Sequence, residues 1–98
     1  MVYNANAQSW SLTLSEQPDC SSPVAVDSGF GLQDCVNLGN LVQFLDFQID
    51  SAGTDVSFTL QLFEGIDCGP AFLQLSVSTD GCIPIGESAA SWAVLISG

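Results

Sequence analysis

Residues 10–20 have the sequence WSLTLSEQPDC, and residues 58–68 have the sequence FTLQLFEGIDC. In both stretches apolar and polar side chains alternate at period two before a turn and a cysteine, which is typical of a β-strand that ends in a hairpin. At an offset of 48, five residues of the first stretch recur in the second: Leu12, Leu14, Glu16, Asp19 and Cys20 match Leu60, Leu62, Glu64, Asp67 and Cys68. The match predicts two copies of one structural unit.

The match continues beyond the first cysteine at an offset of 47. Here Cys35, Val36, Leu38 and Gly39 match Cys82, Ile83, Ile85 and Gly86, and Phe47 and Ile49 match Val94 and Ile96. Two cysteines in register are difficult to obtain by chance. We therefore expect residues 1–98 to form a single domain, with repeats at 10–50 and 58–97 and a linker at 50–57, because 98 residues leave no room for a second core.

Each copy contains four short segments with the alternation and turn signals of β-strands. They are 11–14, 23–26, 36–38 and 42–49 in the first copy, and 58–62, 72–77, 83–85 and 91–96 in the second. No segment has the apolar spacing of an amphipathic helix. This pattern predicts an all-β protein in which two repeated four-stranded Greek-key units pack as a β-sandwich. Six repeat-equivalent residues are expected in its core: Leu12, Leu14, Leu60, Leu62, Phe47 and Val94.

The four cysteines, Cys20, Cys35, Cys68 and Cys82, indicate two disulfides, since the chain has neither a CxxC pair nor a histidine for zinc. Three pairings are possible. We expect Cys20–Cys35 and Cys68–Cys82, because a duplicated unit carries its own disulfide. Disulfides in a short chain predict a secreted, extracellular protein. Residues 1–8 lack the features of a signal peptide, so this prediction takes the sequence as the mature form, with Met1 added.

The charge is entirely acidic: the chain has no Lys, Arg or His, has eleven Asp and Glu, and carries a formal net charge of −11. Nucleic acids and anionic membrane surfaces are excluded as partners because both are bound through cationic side chains. No apolar run is long enough to insert across a bilayer. Two explanations of the acidity remain, namely solubility in an acidic environment and a cationic partner such as a basic protein, a polyamine or a metal. The sequence does not indicate an oligomeric state.

The second copy resembles the Greek-key motif of the βγ-crystallins. That motif has an aromatic residue at the end of strand a, a glycine about six residues later and a serine at the start of strand d, and Phe63, Gly69 and Ser91 occupy these positions. The first copy departs from it: Ser15 replaces the aromatic residue, Ser21 or Ser22 the glycine, and Phe44 the serine. Two such units with cysteines resemble small secreted fungal cysteine-stapled proteins with the βγ-crystallin and killer-toxin-like double Greek-key fold.

The resemblance also implies a candidate calcium site, since microbial βγ-crystallins bind calcium through an Asn/Asp-Asn/Asp-x-x-Ser/Thr-Ser segment. The aligned segments here are 39–44 and 86–91, and they keep only Asn40 in the first and Glu87 and Ser91 in the second. Calcium takes six to eight oxygen ligands. We therefore expect no cofactor, with calcium at Asn40, Glu87 and Ser91 as the one candidate.

An enzyme is not expected, because without His, Lys or Arg the chain lacks the usual bases, nucleophile partners and anion clamps. The repeat-equivalent carboxylates Glu16 and Glu64 are the one candidate pair, of the kind that glycosidases use; we interpret them as solvated turn residues. The sequence predicts a secreted non-catalytic interaction protein (effector-like, toxin-like or cell-wall-associated) that binds an extracellular protein or glycan. The alternative is a carbohydrate-binding module with Tyr3, Trp10 and Trp92 as an aromatic platform.

Overall fold

The structure, a computed structural model, describes residues 8–51 and 57–97. Six strands are present in this part of the chain: β1 (Gln8–Ser15), β2 (Pro23–Gly29), β3 (Gln33–Ser51), β4 (Ser57–Phe63), β5 (Ala71–Leu75) and β6 (Ile83–Ser97). They form one antiparallel sheet in the order β2-β1-β3-β6-β4-β5. The all-β prediction is confirmed. Most of the predicted linker, residues 52–56, lies outside the described residues.

No helix in these two ranges is long and apolar enough to cross a membrane.

Six strands replace the eight that the sequence predicts, because the third and fourth segments of each copy run on as one strand. β3 is 19 residues long and β6 is 15. The register of the β3–β6 ladder shifts between Asn37 and Val42 and again between Val42 and Phe44. Irregularities of this kind bend a strand without ending it. A glycine with a positive φ of 82°, Gly86, lies at the corresponding place in β6. The turn signals at these positions therefore mark bends within β3 and β6.

The two ends of β3 have different neighbours, and so do the two ends of β6. The start of β3 pairs with the end of β6, as in the pair Val36–Trp92, while its later part pairs with the start of β6, as in the pair Leu45–Ile83. The later part of β3 also pairs with β1, and the end of β6 with β4. Each half of the chain therefore contributes one stretch of strand to the other half.

These pairings recur at the offset found in the sequence. Adding 47 to Val36 gives Ile83, and adding 47 to Leu45 gives Trp92, so the two β3–β6 pairs correspond to each other. The irregularity in the β1–β2 ladder falls after Leu14, and that in the β4–β5 ladder falls after Leu62, the residue that matches Leu14 in the repeat. Equivalent positions in the sequence thus have equivalent strand partners.

One hydrophobic cluster draws side chains from β1, β3, β4 and β6. All six residues predicted in the core are at most 1% exposed, which confirms that prediction: Leu12, Leu14, Leu60, Leu62, Phe47 and Val94. Between them the indoles of Trp10 and Trp92 meet edge to face, with ring centroids 5.7 Å apart and an interplanar angle of 78°. β1 therefore packs against the end of β6, a strand with which it does not pair.

The four cysteines form two disulfides, as predicted, but the predicted pairing is wrong. The bonds are Cys20–Cys82 and Cys35–Cys68, with Cα–Cα distances of 5.8 and 5.9 Å. Cys35 lies at the start of β3, the part of that strand that pairs with the second half of the chain, and this brings it to Cys68 in the β4–β5 hairpin. Each bond joins the first cysteine of one half to the second cysteine of the other, so the halves are cross-linked.

Candidate functional site

The aromatic platform expected for sugar binding is not formed by the tryptophans. Trp10 is 2% exposed and Trp92 is 1% exposed. Both lie on the inward face of their strands, in register with Leu12 in β1 and Val94 in β6, because alternate side chains of a strand share one face. Trp92 Nε1 is buried and bonds to no described residue. The third member of the proposed platform, Tyr3, lies outside the described residues.

Trp10 instead holds the segment that follows β2. Its Nε1–H donates to the carbonyl oxygen of Gly31 at 2.8 Å. A Cβ on Gly29 would lie 2.9 Å from Trp10 Cζ2, so a glycine is needed there for the indole to approach β2. Between these two contacts lies Phe30, whose side chain is 76% exposed. The buried indole thus fixes the backbone on both sides of an exposed aromatic ring.

A cavity of about 470 Å³ opens beside Phe30 at one end of β1, β2 and β3. Its wall contains Trp10, three serines, Gln48, Ile49 and Asp50. The side-chain amide of Gln48 is held in place, because its Nε2 donates to Asp46 Oδ1 at 2.7 Å and to the carbonyl of Thr79 at 3.0 Å. An exposed ring beside hydroxyl, amide and carboxylate groups is suited to a small polar ligand with an apolar face. We call this region the Phe30 cavity.

The candidate calcium residues do not share one role. Asn40 and Glu87 are exposed, whereas Ser91 is fully buried. The hydroxyl of Ser91 donates to the carbonyl of Gly65 at 2.6 Å and accepts from the N–H of Cys68 at 3.2 Å. It is therefore committed to the β4–β5 hairpin. Within residues 8–51 and 57–97, no group of three or more His, Cys, Asp or Glu side chains is placed to hold a metal ion.

The carboxylates form a pair that sequence reasoning missed. Glu16 and Glu64 are both exposed, as expected of turn residues. The carboxyl group beside Glu64 is that of Glu87, and a hydrogen bond between the two, followed by the repulsion of their charges, raises the pKa of Glu87. Glu64 lies in the β4–β5 hairpin and Glu87 lies in β6, beyond the whole of β5, so no local pattern indicates that they meet.

A second concave region, about 490 Å³ in volume, lies between the start of β3 and the end of β6. We call it the apolar groove. The Cys35–Cys68 disulfide and three buried residues, Phe63, Ala93 and Val94, are part of its lining. Its other lining residues are Leu32, Gln33, Asp34, Gln61, Leu95 and Ile96. Leu32 is 60% exposed, Leu95 48% and Ile96 37%.

The sequence does contain a signal for the apolar groove. Residues 93–96 are Ala-Val-Leu-Ile, an uninterrupted apolar run at the end of a predicted strand. Successive side chains of a strand point to opposite faces, so such a run places apolar side chains on the outer face as well as the inner one. Ala93 and Val94 are buried, and the last two residues of the run, Leu95 and Ile96, are exposed.

Acidic groups accompany the apolar groove. Asp34 belongs to its lining. Asp67 precedes the lining residue Cys68 and is held by Asn37, whose Nδ2 donates to the Asp67 carboxylate at 3.0 Å and whose Oδ1 accepts from the Asp67 N–H at 2.7 Å. No side chain of the sequence carries a positive charge at neutral pH, so no side chain neutralises these charges.

Comparison of the chain with protein-family models, with curated proteins and with solved structures gave no significant match.

Proposed function

We propose that this protein is a secreted, extracellular interaction domain that acts by contact and not by catalysis, as an effector-like, toxin-like or cell-wall-associated module. The observation that carries the proposal is the apolar groove. Exposed apolar side chains that gather around a concavity mark sites of interaction, whereas scattered ones do not. Two disulfides in a domain of this size support an extracellular location.

The fold that we propose is the double Greek key of the βγ-crystallin type, built from two copies of one unit. Its support is that each half of the chain contributes a strand segment to the other half. The start of β6 pairs with the later part of β3, which also pairs with β1, and β1 pairs with β2. In the same way, the start of β3 pairs with the end of β6, which also pairs with β4, and β4 pairs with β5. The crossed disulfides and the bonds from Ser91 to its hairpin agree with such a duplication.

The second candidate function is carbohydrate binding, and the Phe30 cavity favours it. The exposed Phe30 ring takes the place of the tryptophan platform expected from the sequence. The neighbouring hydroxyl, amide and carboxylate groups supply the polar contacts that orient a sugar. A glycan partner at this cavity would leave the apolar groove unexplained, so we place this function second.

Photocrosslinking tests the first candidate. A photoreactive amino acid replaces Leu95 in the apolar groove or, as a control, Val26, which is 69% exposed and lies in β2 outside the groove. After exposure to extracellular proteins of the source tissue, we expect a discrete adduct from position 95 and none from position 26. Adducts at both positions or at neither would contradict the proposal.

Co-sedimentation with insoluble polysaccharides tests the second candidate. The protein, its Phe30→Ser variant and a Val26→Ser control are each pelleted with chitin, cellulose and β-glucan. Binding that is lost in Phe30→Ser and kept in Val26→Ser would put carbohydrate binding first. Soluble sugars released from any of these polymers would contradict the non-catalytic function.

A further inference from the structure

We propose that the apolar groove binds a basic, amphipathic segment of a partner protein, whose apolar side chains enter the groove while its Lys or Arg side chains meet the carboxylates beside it. This inference rests on the proposed function and adds the surface and the chemistry of the partner.

The floor of the apolar groove is held rigidly before any partner arrives. The Cys35–Cys68 disulfide joins β3 to the β4–β5 hairpin across it, and the pair Gln33–Val94 connects β3 to β6 beside it. Phe63 and Val94 are buried beneath the surface, so the floor is part of the core. A preformed site loses little conformational entropy on binding, which leaves more of the contact energy for affinity.

The apolar side chains around the groove supply the driving force. Leu32 lies in the segment between β2 and β3, and Leu95 and Ile96 lie at the end of β6, so residues distant in the sequence line the same groove. All three are more than a third exposed in the free chain. An apolar side chain placed among them removes apolar surface from water on both partners.

The charges decide which partner fits. Asp34 belongs to the lining of the groove, and Asp67 directly precedes the lining residue Cys68 in the chain. An acidic segment would meet repulsion from these groups and from a net charge of −11, whereas a basic one is attracted at long range and on contact. The Asn37–Asp67 hydrogen bonds hold one of these carboxylates in a fixed position.

The same charges disfavour two other occupants. A second copy of the chain has the same net charge of −11, so apposing two grooves also apposes their carboxylates. An anionic lipid surface repels the chain for the same reason. A basic polypeptide is the occupant that both the apolar lining and the charge favour.

Fluorescence anisotropy with three labelled dodecapeptides tests the inference. The first repeats Leu-Lys-Lys four times; the second repeats Ser-Lys-Lys and keeps only the charge; the third repeats Leu-Glu-Glu and keeps only the apolar residues. We expect the Leu-Lys-Lys peptide to bind at least tenfold more tightly than Ser-Lys-Lys, and Leu-Glu-Glu not to bind. Equal affinity for the first two would show that charge alone acts, and would overturn the inference.

Matched variants locate the binding surface. The double variant Leu95→Ser/Ile96→Ser should weaken binding of the Leu-Lys-Lys peptide at least tenfold. The control Val26→Ser/Val77→Ser removes two side chains that are 69% and 68% exposed and lie outside the groove, and should change the Kd less than twofold. If the first double variant does not fold, Leu32→Ser in the β2–β3 connection replaces it. Equal losses in test and control variants would assign binding to another surface and overturn the inference.

The charge is tested in the same way. Asp34→Asn should weaken binding of the Leu-Lys-Lys peptide about threefold, because it removes one favourable charge at a partly screened surface. Asp27→Asn, at an exposed position of β2, should leave it unchanged. No difference between these two variants would contradict the role of Asp34.

Two further results separate this inference from the proposed function. Sedimentation equilibrium that reveals a dimer, dissociated by Leu95→Ser/Ile96→Ser, would make the groove a self-interface and overturn the basic-partner inference. A photocrosslink from position 95 to an acidic or neutral protein would do the same while leaving the interaction function intact. The absence of both peptide binding and crosslinks would overturn both proposals.

Discussion

The β1–β2 hairpin (residues 16–22) and the β4–β5 hairpin (residues 64–70) share a left-handed cysteine but differ in a second left-handed residue, which is Ser22 in the first and Asp67 in the second, and they are closed by different residues. Each contains a cysteine with positive φ, 58° at Cys20 and 51° at Cys68. Each is also closed by a fully buried serine hydroxyl. In the first hairpin Ser15 donates to the carbonyl of Ser21 at 2.7 Å and accepts from the N–H of Gln17 at 3.0 Å. In the second the hydroxyl belongs to Ser91 in β6.

The two serines lie on opposite strands of two equivalent strand pairs, β1–β3 and β4–β6. Ser15 in β1 lies opposite Phe44 in β3, and Phe63 in β4 lies opposite Ser91 in β6. The aromatic ring and the hydroxyl have therefore changed places between the halves. Taken singly, Ser15 and Phe44 each depart from the Greek-key motif. Taken as a pair, they contain the same aromatic ring and serine hydroxyl as Phe63 and Ser91. The fold therefore requires one aromatic ring and one hydroxyl in the strand pair, because a serine on either strand can form hydrogen bonds with the adjacent hairpin.

Removal of a disulfide should cause the largest loss of stability, because one disulfide links each hairpin to the other half of the chain. Removing either bond, as Cys20→Ser/Cys82→Ser or Cys35→Ser/Cys68→Ser, should lower the free energy of unfolding by about 3–4 kcal/mol. The two losses should be similar although the bonds have sequence separations of 62 and 33. The shorter loop is nested in the longer, so the inner bond already shortens the length of free chain that the outer bond closes.

Urea unfolding of both variants measures these losses, with the oxidised parent as reference. Peptide mapping of the unreduced parent, after cleavage at acidic residues, should give Cys20–Cys82 and Cys35–Cys68. A Cys20–Cys35 peptide would contradict the structure. A loss several times larger in one variant than in the other would show that the hairpins are not energetically equivalent.

Removing the closing hydroxyls should distinguish the hairpins. Ser91→Ala should cost about 2 kcal/mol, since it deprives both the Gly65 carbonyl and the Cys68 N–H of their partner. Ser15→Ala also removes two hydrogen bonds, to the Ser21 carbonyl and from the Gln17 N–H, but should cost only about 1 kcal/mol, because both partners lie in the same hairpin as Ser15 and can turn to water without separating two distant strands.

Chemical denaturation of the two alanine variants provides the measurement. Ser11→Ala, at an exposed position of β1, is the control and should stay within about 0.5 kcal/mol of the parent. If Ser15→Ala proved the more destabilising, the closure of the first hairpin would be stronger than its local bonds indicate.

Exchanging the serine and the phenylalanine of the Ser15–Phe44 pair tests whether the two residues contribute to stability together and not separately. Ser15→Phe and Phe44→Ser together reproduce the arrangement of Phe63 and Ser91. We expect the double variant to be at least about 1 kcal/mol more stable than the sum of the single effects, because contacting residues in one strand pair couple energetically. A double-mutant cycle of unfolding free energies measures the coupling. Additive effects would mean that each position acts alone.

The smallest effects should come from charge, and the two hairpins should respond to pH in opposite directions. The Ser21 hydroxyl, and then the Ser21 N–H at 3.1 Å, lower the pKa of Asp19 below 3.8. The stability that this interaction supplies is present above pH 3.8 and is lost as the pH falls through the folded pKa. Asp19→Asn should therefore lower the Tm slightly at pH 7 and leave it unchanged at pH 2.

In the second hairpin the sign is reversed. The hydrogen bond to Glu64, and then its charge, raise the pKa of Glu87 above 4.5, so the pair contributes stability below that pH and loses it as the pH rises through the folded pKa. Glu64→Gln should raise the Tm slightly at pH 7 and leave it unchanged at pH 3. Carbon-13 NMR titration of the carboxyl groups gives the two shifts directly. Shifts of the same sign at Asp19 and Glu87 would contradict this contrast.

The sequence by itself determined what depends on neighbours along the chain. Period-two alternation placed Leu12, Leu14, Leu60 and Leu62 in the core, because side chains at i and i+2 share a face of a strand whatever it pairs with. The count of four cysteines, with no histidine, indicated two disulfides. The offset of 47 to 48 located positions that have equivalent strand partners in the two halves.

Only the tertiary structure decided what depends on how β3 and β6 cross between the halves. Cys35 meets Cys68 through that crossing, and Glu64 meets Glu87 through the pairing of β4 with β6; no local pattern indicates either contact. Alternation places each indole on the inward face of its strand, but the edge-to-face contact of Trp10 with Trp92 follows from the packing of β1 on the end of β6. The apolar groove likewise joins Leu32, which precedes β3, to Leu95 near the end of the chain. Such contacts depend on the path of the whole chain, because strand pairing brings together residues whose neighbours in sequence have no interaction with each other.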